Sequence, residues 1–297
     1  MPDDLSNCSV NCKKRYALHC NKILRCICKL PTSNAPIMQE DQTLLEAKEL
    51  GLQKFRRSPF HDVSLTVKPH QIVAISGEHG SGKSALLLAL SGYMKFTSGT
   101  LSIVDTNIPS EVQKSRQYIG LGLFSGINEF YKTQTIEEVL MSELKLAARS
   151  PLFLKQYKND VKNREALQQY AYNVLAQWKV VSPHKTAIGE LTPYERMRLG
   201  IALALLKQPW LLFVDGVETE LTSEQSECLV ADIRTYVSKH YCSCLVAVLQ
   251  SGLEKQADQV LRLNTNRVYD ANKNQLGKQL SNQLGVREAN GGENNAR

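Results

Sequence analysis

Two stretches of the chain hold residues whose types and spacing can do chemistry. The first, "GEHGSGKS" from Gly77 to Ser84, fits G-x-x-x-x-G-K-[S/T]. In that pattern a curled backbone turns its N–H groups onto phosphate oxygens. Gly77, Gly80 and Gly82 permit the curl, with Glu78, His79 and Ser81 between them. A helix starting near Lys83 adds the positive end of its dipole. Lys83 then reaches the β- and γ-phosphates, and the Ser84 hydroxyl can ligate Mg2+. The second stretch, "LLFVDGVETEL", runs apolar residues into Asp215. An acid after a strand more often caps a turn or a helix. Well downstream of a phosphate loop, it is the expected partner of the Mg2+ held by Ser84. Water activation would need a second carboxylate beside it, but the neighbour is Gly216. Glu218 and Glu220 are weak substitutes as general base, in a loop expected to be exposed.

These residues need elements to position them. "QIVAIS" is a short, β-branched apolar run read as a buried strand before the loop, and "SALLLALSGYM" as a helix after it. Upstream, "LLEAKELGL" and "HDVSLTV" read as strands separated by a turn at "RRSPF". "GTLSIV" and "QYIGLGLF" follow as strands. From about Thr135 to Val181 the pattern is helical ("IEEVLMSELKLAARS", "NREALQQYAYNVLAQW"), consistent with a helical insertion. "WLLFVD", "CSCLVAVLQ" and "QVLRLN" return as strands, with helical "SEQSECLVADIRTYVSKH" among them. Strands alternating with helices imply an α/β fold on a mostly parallel sheet. "ELTPYERMRLGIALALL" opens with Thr192 as N-cap, Pro193 at the first helical position and Glu195 to complete a capping box.

Composition sets outer bounds. The 297 residues are 42% hydrophobic and 22% charged, enough for one large core. No apolar run approaches the roughly 18–20 residues a spanning helix needs, and no signal peptide is recognisable, so a cytoplasmic chain is expected. Of the net charge of +7, much falls in residues 1–37, where six Lys/Arg stand against two Asp. The remainder is too mild for a nucleic-acid footprint. Cys8, Cys12, Cys20, Cys26 and Cys28 also lie there. Their spacing matches no zinc pattern, although His19 beside Cys20 keeps a metal site open. Residues 1–42 are expected to form a Cys-rich basic leader. It is either a surface-seeking segment or dispensable, with Met38 as an alternative start. Residues 43–265 would be the folded domain, with about 135–190 as its helical part. Residues 266–297 would be an extension with a disordered tail.

The order of these pieces resembles the nucleotide-binding domain of ATP-binding cassette (ABC) transporters over about residues 44–265. "SGYMKFTSGTLSI" is similar to the stretch after the phosphate-loop helix, and "LTPYERMRLGIALALLKQPWLLFVD" to the signature-through-Walker-B run. The resemblance implies a P-loop NTPase fold with a parallel core, an antiparallel β-subdomain and a helical insertion. It also implies ATP and Mg2+ as ligands, and an adenine-stacking aromatic at Phe55, which is otherwise an ordinary core or surface residue. "GLGLFSGINEFYKTQTIEEVL" looks like a divergent bacterial subgroup whose members accompany membrane proteins of the phage-infection-protein type.

The departures from the family all concern hydrolysis. The Q-loop glutamine falls at Phe124 or Ser125, and the LSGGQ signature reads "LTPYE". The general-base glutamate is Gly216, the switch histidine is Gln250, and the D-loop aspartate falls at about Thr222. Two function classes follow. One is a motor subunit, hydrolysing ATP slowly or with a partner and driving a multi-spanning membrane protein from the inner face of the membrane, as a homo- or heterodimer. The other is a non-hydrolysing, nucleotide-gated module on a membrane protein. A P-loop kinase or GTPase is disfavoured by the ABC-like order and the lack of an NKxD-like motif.

Overall fold

The computed structural model describes residues 42–54, 57–156, 163–249, 252–263 and 267–270. The strand before the phosphate loop, β3 (Ile72–Ser76), is buried along its whole length and sits inside a six-stranded sheet. Its neighbours are β8 (Ser243–Val248) and β9 (Gln259–Arg262), both parallel to it. β7 (Leu211–Val214) pairs with β8, and β6 (Ile119–Leu121) with β7, again in parallel. β10 (Arg267–Asp270) closes the far edge antiparallel to β9, giving the order β10-β9-β3-β8-β7-β6.

Side-chain alternation explains why these runs are apolar throughout rather than every second residue. Ile72 and Ala74 enter one core, Val73 and Ile75 the other. Leu212 and Val214 divide from Leu211 and Phe213 in the same way. A sheet covered on both faces demands this. One face is packed by α6 (Pro193–Leu205) and α7 (Ser223–Lys239), and α3 (Ile136–Ala147) and α5 (Arg164–Gln177) continue the same core against α6. The other meets α1 (Lys83–Leu90) and a second, four-stranded antiparallel sheet. That sheet has the order β2-β1-β4-β5, from β1 (Leu45–Lys54), β2 (Arg57–Val67), β4 (Ser98–Ile103) and β5 (Thr106–Ile108).

The turn expected at "RRSPF" is displaced: β2 already runs through Ser58, Pro59 and Phe60. Proline survives there because β2 is an edge strand and the ladder to β1 is irregular between Leu52 and Lys54. Two short helices, α2 (Val112–Ser115) and α4 (Pro151–Gln156), had no clear periodic signal. The helical stretch containing α3, α4 and α5 starts and ends side by side. Ile136 donates to the Thr186 carbonyl at 3.1 Å, Ile188 donates to Gln134 at 2.8 Å, and Thr135 bridges Ala187. Thr135 and Glu138 form a reciprocal capping box that starts α3. No helix among the described residues is long and apolar enough to cross a membrane.

Candidate functional site

The carboxyl ends of β3, β8 and β7 lie adjacent, where open α/β sheets place their ligands. β3 passes through Ser76 directly into Gly77. Gly82, at φ 98°, is the N-cap of α1; no side chain caps that end, and its first turn holds no acid. The helix therefore opens with uncompensated N–H groups and the positive end of its dipole. The buried Ser81 Oγ has no hydrogen-bond partner among the described residues. A bare helix start beside an unpaired buried hydroxyl fits an anion. Glu78, His79 and Ser84 are exposed at the same loop.

Gly82 also touches the chain from behind. A methyl group there would run into the carbonyl of Pro59 in β2, besides being strained at positive φ. Gly82→Ala is expected to lower stability by about 2 kcal/mol and to distort the loop. Urea unfolding and a nucleotide titration on the same preparation check both effects.

Lys83 Nζ donates to the Gly77 carbonyl at 2.8 Å and to Glu78 at 2.7 Å, so its ammonium spans the loop. Burial pushes the Lys83 amine below the usual lysine range, while the charges of Asp215 and Glu218 pull it back up. Lys83, Ser84, Asp215 and Glu218 all line one cleft of about 1080 Å3. Among the described residues no group of three or more His, Cys, Asp or Glu could hold a metal. A cation here would rely on the Ser84 hydroxyl, the Asp215 carboxylate and ligand oxygens, the sparse donor set that suits Mg2+.

After Asp215 the chain turns sharply at Gly216, φ 67°, where an added Cβ would meet only Thr219 Oγ1 at 3.7 Å. Val217 is fully buried and draws the next residue inward. Glu218 is consequently half-buried rather than exposed, and its carboxylate accepts the Leu249 N–H at the end of β8. Glu220 does lie exposed, with Arg196 Nη1 at 3.8 Å. Gln250 and Phe55 lie outside the described residues. Thr222, at the D-loop position, is the N-cap of α7 and forms a capping box with Gln225.

The start of α6 borders the same cleft through Pro193 and Arg196. Thr192 accepts the Glu195 N–H at 3.2 Å, as an N-cap should. The reciprocal half of the expected capping box is absent. The Glu195 carboxylate instead takes the N–H groups of Val181 at 3.0 Å and Ser182 at 2.7 Å, plus the Ser182 hydroxyl at 2.8 Å. Two tertiary donors and a hydroxyl outcompete one local N–H. Tyr194 lies under the Arg198 guanidinium, 4.4 Å from ring centroid to Cζ. Arg198 is buried and donates to Tyr194 Oη, to Asp232 at 2.7 Å and to the Trp178 carbonyl at 3.2 Å. Pro193 brings no N–H and Glu195 adds negative charge, so this helix start, unlike that of α1, is already compensated.

Of the two residues expected where the family has its Q-loop glutamine, Phe124 faces the core, 1% exposed, and Ser125 is exposed. The loop is tied by residues that carried no signal in the sequence. Asn128 accepts the Phe124 N–H at 2.7 Å and donates to Gly122, and Glu129 accepts from Ser125 Oγ at 3.0 Å and from the Gly126 N–H at 2.8 Å. Those two donors hold the Glu129 carboxyl below its usual range.

Comparison with known proteins agrees with this geometry. The chain is 26% identical over 242 residues to the methionine import ATP-binding protein MetN of Bifidobacterium longum (strain NCC 2705), covering 80% of this chain and 56% of that protein. It thus spans little more than half of that relative's length. It is 24% identical over 212 residues to the lipoprotein-releasing system ATP-binding protein LolD of Wigglesworthia glossinidia brevipalpis, covering 71% of this chain and 88% of the other. Its fold is that of cbiO1 from Clostridium perfringens, with a TM-score of 0.65 at 17% identity over 83% of this chain and 96% of that one. A dimeric ATP-binding cassette in a post-hydrolysis state with ADP and Pi superposes with a TM-score of 0.63 at 19% identity, over 76% and 98% of the two chains. Residues 60–218 match the family described as ABC transporter. With the phosphate loop, the parallel core and the Asp215 strand end all in place, the chain belongs to the ABC transporter family.

Proposed function

We propose that this chain is the ATP-binding subunit of an ABC-type membrane transporter, binding MgATP through Gly77–Ser84 and Asp215 and turning it over slowly or only with a partner. The observation that carries this reading is the start of α1. It is a left-handed Gly82 cap with no capping side chain and no acid in its first turn, flanked by the Lys83 ammonium and the unpaired Ser81 hydroxyl. Backbone N–H groups of the loop would bind the phosphates, Lys83 would reach the terminal ones, and Ser84 with Asp215 would hold Mg2+. Bound Mg2+ supplies charge neutralisation on the phosphate oxygens. The names of the relatives support a role in transport, and the cassette that contains ADP and Pi supports nucleotide in this fold.

The partner in this reading is a multi-spanning membrane protein, and the subgroup that "GLGLFSGINEFYKTQTIEEVL" resembles points to the phage-infection-protein type. A second ATP-binding subunit completes a homo- or heterodimer at the inner face of the membrane. Weak turnover follows from the side chains. A positioned general base contributes about 10²–10⁴-fold, and Gly216 cannot supply one. Gly216→Glu has room for its Cβ at a cost of about 1 kcal/mol for the left-handed backbone. It is expected to raise steady-state phosphate release at least about 10-fold over the wild-type chain. An unchanged rate would locate the deficit elsewhere, at the compensated start of α6.

Phosphate release by the purified chain, alone and with its membrane partner, tests the reading, with Lys83→Ala as the blank. Release above the blank supports the transporter subunit. MgATP binding with no release in either condition supports the nucleotide-gated module instead.

A further inference from the structure

Two acidic side chains stitch the sheet edge that carries the site. Glu218 leaves the loop after β7 and accepts the Leu249 N–H where β8 ends. Glu254 sits in a 3-10 turn, Gly252–Gln256, that follows β8. It accepts the Ser76 hydroxyl at the point where β3 becomes the phosphate loop. Its second oxygen takes Arg262 Nη2 of β9 at 2.5 Å. The ends of β7, β8, β3 and β9 are thereby linked in their spatial order. Neither link is local, since the partners are 31 and 178 residues apart.

Both contacts are built rather than incidental. Ser76 is fully buried, and the Glu254 side chain is 15% exposed. A carboxylate at that depth is costly unless it is paired and hydrogen-bonded. Burial alone would push the Glu254 carboxyl upward, yet the Arg262 and Ser76 hydrogen bonds outweigh it and leave it below the usual glutamate range.

We infer that Glu218 and Glu254 are positioning residues of the nucleotide site, fastening Leu249 and the 252–256 turn to the two loops that would hold MgATP. The inference rests on the reading of Gly77–Ser84 as a triphosphate cradle. The physical links are short stretches of backbone. Only Gly216 and Val217 separate Asp215 from Glu218, so a loop ordered around Asp215 acts on Leu249 through one hydrogen bond. On the other side Ser76 adjoins Gly77, so any adjustment of the loop is transmitted to Glu254 through one hydroxyl. With Gly216 bare, Glu218 is the first acid after Asp215 able to make such a connection.

Hydrogen exchange on the full chain tests this, with and without MgATP at saturation as established for each variant by titration. In the wild type, MgATP is expected to slow exchange about 10-fold at Leu249 and across 252–256. Glu218→Ala should lose the slowing at Leu249. Glu218→Gln, whose amide oxygen still accepts that N–H, should keep it. Ser76→Ala should lose the slowing at 252–256, and it carries the comparison alone if Glu218→Ala fails to fold. Equal protection in the wild type, Glu218→Ala and Ser76→Ala overturns the inference, as does identical behaviour of the Ala and Gln variants. A wild-type chain that does not bind MgATP overturns the nucleotide reading itself, a result distinct from normal binding with unaltered protection.

Discussion

Lys83→Ala is expected to weaken MgATP binding about 100-fold while leaving the urea midpoint close to that of the wild type. The binding loss follows from the interactions removed. A hydrogen bond to a charged group is worth about 1.5–3 kcal/mol, and one ammonium serves the terminal phosphates. The small change in stability follows from the environment of the side chain. Burial opposes its charge, Asp215 and Glu218 favour it, and its two hydrogen bonds go to loop carbonyls that water can also satisfy. Lys83→Arg is a stricter comparison. It keeps the charge but replaces a compact point donor with a broad planar fork, so it too should lose most of the affinity. Competition against a fluorescent nucleotide reads both variants. If Lys83→Ala bound MgATP as tightly as the wild type, the assignment of the loop would be wrong.

The largest effect on stability is expected at Arg198. Its side chain is 6% exposed and joins α6 to α7 through Asp232, to the Trp178 carbonyl, and to Tyr194 by both ring and hydroxyl. Arg198→Ala should cost about 3 kcal/mol, the low end for breaking a buried pair, because Asp232 keeps Lys179 at 2.8 Å. Arg198→Met fills the volume without the charge and should cost less, as replacement by an apolar residue of similar size often does. Urea unfolding at constant m-value separates the two. A cost for Arg198→Ala below about 0.5 kcal/mol would show that the cluster adds little beyond surface packing.

The phosphate loop was legible because its determinants are local. The glycines, the lysine and the serine are contiguous, and a fully apolar strand precedes them. The strand end before Asp215 was legible for a related reason, since the short, fully apolar run "LLFV" suits a strand covered on both faces. The parallel sheet followed from alternating strands and helices. What escaped were features decided by distant partners. Glu195 satisfies the capping-box spacing, yet Val181 and Ser182 claim its carboxylate from another segment. Glu218 reads as part of a polar loop, but the burial of Val217 turns it toward Leu249. Pro59 reads as a turn, while the edge position of β2 tolerates it and sets its carbonyl against Gly82. The Glu254–Ser76 contact joins residues that no local pattern relates.

These contrasts also order the two helix starts that border the cleft. That of α1 has no side-chain cap and no acid in its first turn, whereas that of α6 has Thr192, Pro193 and Glu195. By the same physics one end is suited to an anion and the other has been neutralised. Retained binding with eroded turnover is the combination expected of such a pair.

Calorimetric titration of MgATP into the full chain tests the central claim most directly. The expected result is a saturable single-site isotherm with a dissociation constant of about 1 mM or tighter, weakened when Mg2+ is chelated and abolished over the same range by Lys83→Ala. Absence of saturable binding by both ATP and a non-hydrolysable analogue, with Mg2+ present and the chain folded, would contradict it.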